Sequence, residues 1–338
     1  MSELLVSVVV CNYNYERFLE DALSSVTAQT HRCELIVVDD GSTDGSREIL
    51  SRWADRAKIV LQDNAGQVGA YNRGFLESSG DIVIFLDSDD LLDADTVEQV
   101  LAAFEPGVAK VHWPMRLVGE SGSGLGGEIP YRLSQGEVSR AFVKHGILYA
   151  SSPGSGNAYR RDALQRLFPL PEDSVDRHGA DFFTIYGAPL FGEVRALRRA
   201  AGSYRVHERG GTAALSLVFG NAAKIHVDPQ RMQKRVARFR QWIASRTLGE
   251  VLLPDTFLDF SVEKLAFARA VFESRGYWPG LRHGIPALAG LMRALWFKSE
   301  FSIIKKLMLS AWSITVLLAP RGVGFPVARY VCNPASRS

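Results

Sequence analysis

Cysteine is scarce in this chain: Cys11, Cys33 and Cys332 are the only thiols in 338 residues. An odd, widely scattered set builds no disulfide framework, and no pair has zinc-ligand spacing, so free thiols in a reducing cytosol are expected. Long apolar runs are missing too. The longest uncharged stretch towards the C-terminus, Leu307–Ala319, has thirteen residues. As a helix it spans roughly 20 Å, against the ~30 Å hydrocarbon core of a bilayer. The apolar opening Leu4–Cys11 has neither a basic leader nor a small-residue cleavage site, and it runs straight into Asn12-Tyr13-Asn14, so it reads as a buried strand. No G-x-S-x-G elbow occurs and no histidine lies near Cys11 in sequence, which disfavours a seryl or cysteinyl nucleophile and leaves Cys11 to packing. The G-x-x-G of Gly66–Gly69 is too weak for a dinucleotide fingerprint and follows the wrong strand.

What is present is a chain able to fold. It is 46% hydrophobic and 22% charged, enough to bury a sizeable core, and its length suits one large domain with an appendage. The net charge of +2 conceals a division. Residues 1–194 carry 16 Lys and Arg against 29 Asp and Glu, whereas residues 195–338 carry 23 against 8. An acidic part suited to cations thus precedes a basic part suited to anionic surfaces or ligands.

The first hundred residues alternate strand and helix. Strands are expected at Val6–Cys11, Leu35–Val38, Lys58–Leu61, Ile82–Leu86 and Lys110–Val118. Helices are expected at Glu16–Thr30, Gly45–Ala57 (capped by Ser42 or Thr43), Gly69–Ser79 and Asp95–Phe104. Gly119–Gly127 reads as a surface loop, Gly136–Gly146 as a helix and Ser151–Asn157 as a turn. From about Gly211 the pattern becomes basic helices: Pro229–Arg246, Thr256–Arg275 and segments within Pro286–Ala319. The βαβα rhythm predicts a Rossmann-like, doubly wound, mostly parallel sheet, whose ligand sits beyond the carboxyl ends of the strands.

Acidic clusters fall at two of those ends. Asp87-Ser88-Asp89 can set a divalent cation, Mg2+ or Mn2+, against a diphosphate. Asp39-Asp40-Gly41-Ser42 can accept a base N–H or a ribose hydroxyl, with Gly41 permitting the tight turn. In the Asn64–Gly74 segment small residues admit a ligand to the backbone, and Arg73 can pair with phosphate. Each also has a bland reading, as a helix cap or a solvated charge.

Four blocks together are more specific: Val8–Asn14, Val37–Asp44, Asn64-x-Gly66 with Ala70-x-Asn72-Arg73-Gly74, and Phe85–Asp90. In this order and spacing they resemble the inverting family-2 glycosyltransferases of GT-A fold. The resemblance covers residues 4–95, continues more loosely to about His207 and fades beyond. It implies a nucleotide held by Asn12, Tyr13, Asn14, Asp39, Asp40, Asn64 and Gly66, with Arg73 at the phosphates. It puts Asp87 and Ser88 beside the ribose, with Asp87 also a candidate metal ligand, and Asp89 on the metal. Pro153-Gly154-Ser155-Gly156-Asn157 corresponds to a glycine loop beside the donor, bringing in Gly154 and Gly156. Gly179-Ala180-Asp181 resembles an acidic segment whose last carboxylate is the general base. Ala180 replaces the usual glutamate there, which puts one acceptor or donor contact in question. Tyr204-Arg205-Val206-His207 resembles a terminal histidine that approaches the metal, and Arg205 and Arg209 are further phosphate candidates.

The expected architecture is a GT-A domain over 1–210, divided at 118/119 into nucleotide-sugar and acceptor halves, followed by a basic helical extension over 211–338. The expected activity is metal-dependent, inverting transfer from a nucleoside-diphosphate sugar, UDP slightly favoured, to a glycan or lipid-linked acceptor in cell-surface polysaccharide or glycolipid synthesis. The protein would be cytoplasmic, with no nucleic-acid partner. The competing reading is a non-catalytic, nucleotide- and magnesium-binding doubly wound module. In the extension, Val236, Phe239, Trp242 and Ile243 lie among arginines, and Trp296, Phe297, Phe301, Ile303 and Ile304 precede Lys305-Lys306. Such segments either pack on the domain or lie on an anionic membrane at the inner face of the cell membrane.

Overall fold

The computed structural model describes residues 4–173, 177–207, 229–272, 277–298 and 301–332. The boundary expected at 210/211 and Arg209 lie outside them. The chain forms two compact units. The first contains the described residues of Met1–Ser139, Ala150–Glu208 and Gln241–Val251, and the second those of Arg140–Tyr149, Arg209–Arg240 and Leu252–Ser338.

The first unit is built from alternating elements. They are β1 (Val6–Asn12), α1 (Glu16–Thr27), β2 (Glu34–Asp40), α2 (Ser46–Ser51), β3 (Lys58–Gln62), α3 (Gly66–Glu77), β4 (Ile82–Asp87), β5 (Leu91–Leu92), α4 (Thr96–Ala103), β6 (Val108–His112), β7 (Met115–Val118) and β8 (Gly124–Ile129). After α5 (Ser139–His145), which runs into the second unit, come β9 (Asn157–Arg160), α6 (Arg161–Gln165), α7 (Ala180–Gly187), β10 (Glu193–Ala196) and β11 (Gly202–Arg205). Seven strands make the main sheet in the order β10-β6-β9-β4-β1-β2-β3, with β9 antiparallel to both neighbours. It is the doubly wound, mostly parallel sheet expected of the GT-A fold. Its β-branched strands are covered on both faces: Val6, Val8, Val9 and Val10 are fully buried, as are Ile82 to Ile84. The chain leaves β1 towards β2 on one side and pairs it with β4 on the other, so the strand order reverses at β1. Register brings the ends level: Asn12 is opposite Asp39, Cys11 opposite Asp87, and Asp40 opposite Gln62.

Three expectations need correction. Lys110–Val118 is not one strand: it breaks at Trp113-Pro114 into β6 of the main sheet and β7 of a second sheet, ordered β5-β11-β7-β8. Pro114 has no N–H for a ladder, and the Trp113 N–H leaves β6 to bond Gly156 O at 3.1 Å. Gly119–Gly127 is not simply a loop, because its second half enters β8, an exposed strand pairing with β7. The helix expected at Gly45–Ala57 is the short α2. Asp44 Oδ1 accepts from Ser46 N–H at 3.0 Å, while Ser42 turns back to β1.

The second unit is helical. It contains most of α8 (Pro229–Arg246), then α9 (Phe260–Phe272), α10 (Tyr277–Trp296), α11 (Ile303–Leu318) and α12 (Arg321–Cys332). Phe267, Leu291, Leu295, Trp312 and Val316 form its core.

Candidate functional site

The parallel strands deliver their last residues to one edge of the sheet, and the loops there are knitted together by side chains. Asn12 Nδ2 donates to Asp39 Oδ2 at 3.0 Å and to Ser42 Oγ at 3.1 Å. Asp39 Oδ1 accepts from Ser42 N–H at 3.1 Å and from Arg47 Nε at 3.2 Å. Asn14, in the left-handed region at φ 58°, accepts from the Thr43 N–H at 2.7 Å. Asp40 serves the next loop: Oδ1 accepts from Gln62 Nε2 and Ala65 N–H, both at 2.7 Å, and Oδ2 from Gly66 N–H at 2.8 Å. Gly41, at φ 79°, lies so close to this loop that a Cβ would stand 2.7 Å from Asn64 N. Asp39 and Asp40 are both buried and hold the edge together, whereas Tyr13 and Asn64 are exposed beside them.

The Asp87–Asp90 turn follows β4. Carboxylate oxygens of Asp87, Asp89 and Asp90 lie within 4.8 Å of one another. Asp90 is buried; Oδ1 accepts from Arg205 N–H at 2.9 Å, and Oδ2 has no hydrogen-bond partner. Burial and then the neighbouring Asp89 and Asp87 push its pKa well above the ordinary carboxylate value. His207 reaches the same cluster, with Nε2 2.7 Å from Asp89 Oδ2, and its ring packs against Tyr15 and Phe18. Arg205 underpins the turn from β11. It is buried, and it donates to Asp89 O at 2.9 Å, Glu120 O at 2.9 Å and Gly119 O at 3.3 Å.

Opposite this turn, the loop before β9 brings in Gly154. A Cβ on Gly154 would lie 3.5 Å from Asp87 Oδ2, 3.6 Å from Asp181 Cβ and 3.6 Å from Tyr71 Oη. Residues from β4, α7 and α3 therefore converge on one bare patch of backbone. Ser155 Oγ fixes the loop to β4 by accepting from Asp87 N–H at 3.1 Å. Asn157 Nδ2 gathers the carbonyls of Ser152, Pro153 and Gly154 at 3.3, 2.6 and 3.1 Å. Asp181 stands in the first turn of α7, where Oδ1 accepts from Phe182 N–H at 2.8 Å. The segment before it docks on α3: Gln67 Oε1 accepts from Gly179 N–H at 2.8 Å and Ala180 N–H at 3.2 Å, and Arg177 Nη2 donates to Asn64 O. A cavity of about 330 Å³, lined by Ala65, Glu172, Asp173 and Arg177, adjoins this contact.

The expected residues thus divide. Asn12, Tyr13, Asn14, Asn64, Asp87, Ser88, Asp89, Gly154, Asp181 and His207 belong to the turns along this edge, and Ser88 is buried within its own. Asp40 and Gly66 act inside the frame: a Cβ on Gly66, at φ 78°, would stand 2.5 Å from Arg177 Cβ. Gly156 is enclosed by protein, since a Cβ there would meet Ser152 Oγ at 2.1 Å. Arg73, expected at the phosphates, stands exposed on α3 and pairs with Glu77 at 2.9 Å. Arg205, another phosphate candidate, is a buried clamp. Cys11 is packing, its thiol pushed well up, first by burial and then by Asp87. The sequence reading passed over Asp90, Tyr71, Gln67 and Arg177. Asp90 adjoins the acidic motif, and Tyr71 falls on the face of α3 that also carries buried Gly74 and Val68.

This geometry defines a doubly wound α/β protein with a three-carboxylate cluster beside the switch in strand order. Residues 7–168, just under half of the chain, match the model of glycosyl transferase family 2, and over them the chain is similar to that family. The glycosyltransferase alr2836 of Nostoc sp. is 34% identical over 214 residues, 60% of this chain and 65% of that protein. The undecaprenyl-phosphate 4-deoxy-4-formamido-L-arabinose transferase of Pseudomonas savastanoi pv. phaseolicola is 36% identical over 111 residues, 30% of this chain and 33% of the relative. The chain therefore spans from a third to just under two thirds of these curated relatives. TarS 1-349 of S. aureus, crystallised with UDP-GlcNAc, has the same fold at a TM-score of 0.54 and 17% identity, over 99% of this chain and 92% of that one.

Proposed function

We propose that this chain transfers a sugar, with inversion and with the help of a divalent cation, from a nucleoside-diphosphate sugar to an acceptor hydroxyl. The observation that carries the reading is the meeting of Asp87, Asp181 and Tyr71 around Gly154, beside a three-carboxylate cluster. The cluster suits a hard cation: its donors are carboxylate oxygens, and Asp90 Oδ2 is buried without a partner. Asp87, Asp89 and Asp90, with His207 alongside, would hold Mg2+ or Mn2+. When bound, the ion supplies electrostatic stabilisation to a departing diphosphate.

Asp181 acts as the base. It takes the proton of the acceptor hydroxyl as that oxygen attacks the anomeric carbon from the side opposite the diphosphate. One displacement inverts the centre and needs no covalent enzyme intermediate. The exposed Tyr13 and Asn64, with Asn12 and Asn14, form the nucleotide side, and Asp39 orients them through Asn12 and Ser42. TarS was crystallised with UDP-GlcNAc, which makes uridine donors the first to test. The Pseudomonas relative is named for undecaprenyl phosphate, which makes lipid-linked acceptors the first to test.

Donor turnover, measured across UDP-, GDP- and dTDP-sugars with and without Mn2+, tests the reading. Metal-dependent release of nucleoside diphosphate by the wild type, lost in Asp181→Asn, is expected. Nucleotide and metal binding without turnover on any donor would favour the non-catalytic module instead.

A further inference from the structure

The apolar face expected on α8 is not available to a membrane: Val236, Phe239, Trp242 and Ile243 are all buried. α11 is different. Its inward face carries Trp312, Val316 and Leu317 into the core of the helical unit, and Trp312 Nε1 bonds Val327 O of α12 at 3.0 Å. Its outward face carries Ile304, Leu307, Met308, Ala311, Ile314 and Leu318 at helical spacing, the five large side chains 51–68% exposed, with Thr315 among them turning its hydroxyl back to Ala311 O at 3.0 Å. A surface helix ordinarily turns charge outward, and one that is apolar all round belongs in an apolar medium. From Leu307 to Pro320 there is no charged residue.

The surroundings of this face identify the medium. Residues 277–338 contain eight Lys and Arg and a single acid, Glu300. Lys305 and Lys306 open α11 and Arg321 follows it, so basic groups flank the apolar stripe at both ends. Trp296, the last residue of α10, and Phe297 after it are both exposed beside it, with Trp296 Nε1 donating to Ser310 Oγ at 3.2 Å. At 16 residues α11 is about 24 Å long, too short to cross. Among the described residues no helix is long and apolar enough to span a membrane.

We infer that α11 lies in the plane of an anionic lipid bilayer, with Ile304, Leu307, Met308, Ile314 and Leu318 among the acyl chains and the flanking Lys and Arg at the headgroups. Apolar burial and attraction to anionic lipid add in such an arrangement. The inference is independent of the sugar-transfer reading, since no residue of the acidic site enters it.

The test is co-sedimentation of the full chain with vesicles of phosphatidylcholine alone or with one-third phosphatidylglycerol, at about 0.1 M and about 1 M salt. Wild type should partition at least about tenfold more onto anionic vesicles at low salt and be largely released at high salt. Leu307→Gln/Met308→Gln should lose about tenfold in partitioning while keeping its thermal midpoint, because both side chains are exposed. Lys305→Gln/Lys306→Gln should lose the salt-sensitive part. Wild-type protein left in the supernatant at low salt with anionic vesicles would overturn the inference. So would light scattering showing a dimer that Leu307→Gln/Met308→Gln dissociates without altering vesicle recovery, because a second copy would then cover the stripe.

Discussion

Two glycines of the loop before β9 stand two residues apart, and the same substitution should have opposite effects at each. At Gly154 an added methyl meets Asp87 Oδ2 at 3.5 Å, Asp181 Cβ at 3.6 Å and Tyr71 Oη at 3.6 Å, all ordinary contacts. The backbone there is not left-handed. Gly154→Ala should therefore fold as well as wild type, or gain about 0.4–1 kcal/mol from a less flexible unfolded chain. That corresponds to a rise in Tm of at most about 4 °C. The methyl nevertheless occupies the space between the candidate base and the acidic turn. Shifting a reacting atom by about 1 Å costs on the order of 10²-fold in rate, so kcat/KM for sugar transfer should fall by about that factor. At Gly156 the methyl would meet Ser152 Oγ at 2.1 Å and Trp113 O at 3.0 Å, and Ser152 Oγ already donates to Trp113 O at 2.6 Å. Overpacking and a disturbed buried hydrogen bond together cost about 2–4 kcal/mol, lowering Tm by several degrees or more. Thermal unfolding and initial-rate kinetics on both variants decide the matter. Full kcat/KM in Gly154→Ala would show that no substrate atom enters that space. A large drop in its Tm would show that the space is not open.

Other outcomes follow from the same geometry. Asp89→Ala should abolish metal-dependent turnover with Tm little changed; near-normal rates in limiting Mn2+ would remove Asp89 from the metal site. Asp181→Asn should keep donor affinity and lower kcat by about 10²–10⁴-fold, and lost affinity at unchanged kcat would make it a binding residue instead. His112 is fully buried; its Nε2 donates to Ser134 O at 2.8 Å, and Lys110 Nζ and Ser151 Oγ lie 3.3 Å from Nδ1. Burial, then Lys110, holds its pKa well below the ordinary imidazole value. As pH falls through about 6.5 the unfolded chain takes a proton that the folded one refuses, so stability falls by up to about 1.4 kcal/mol per pH unit. Urea unfolding between pH 7 and pH 5 should show this slope flattened in His112→Gln, and equal slopes would refute it.

The main sheet was legible because each buried strand ends in a motif whose residue types are dictated by position. Val6–Asn12 and Ile82–Asp87 must be apolar along their length and polar at the tip, and both features survive in a linear reading. Side-chain direction was not legible. Arg73 lies two residues from Tyr71, and a helix turns about 200° over that interval, which sends the arginine out to Glu77 while the phenol faces Asp87. Nor could spacing disclose that Pro114 hands the chain from one sheet to another. That transfer is defined by partners far away in sequence, Gly156 and Ala201, whose N–H bonds Pro114 O at 3.3 Å. The exposed stripe of α11 was half legible: its composition marked it as apolar, but only packing could tell which of the basic helices keeps its apolar face inside.

The two acidic motifs look alike as text, Asp39-Asp40 after one strand and Asp87 to Asp90 after another, yet the fold treats them differently. Asn12, Ser42 and Arg47 supply three donors to Asp39, and Gln62, Ala65 and Gly66 supply three to Asp40. Through these bonds the pair braces the loops that follow β1 and β3, on either side of β2. At the second motif Arg205 spends its guanidinium on backbone carbonyls, three of them within 3.3 Å, and brings a backbone N–H to Asp90. The turn is thereby held rigid while its carboxylates stay crowded, one buried oxygen lacking any donor. Burial, then Asp89 and Asp87, raise the pKa of Asp90, and a cation placed there would offset that crowding of charge. The fold thus saturates the first acidic pair with donors and leaves Asp90 Oδ2 of the second cluster buried without one, which is the difference the proposed metal site rests on.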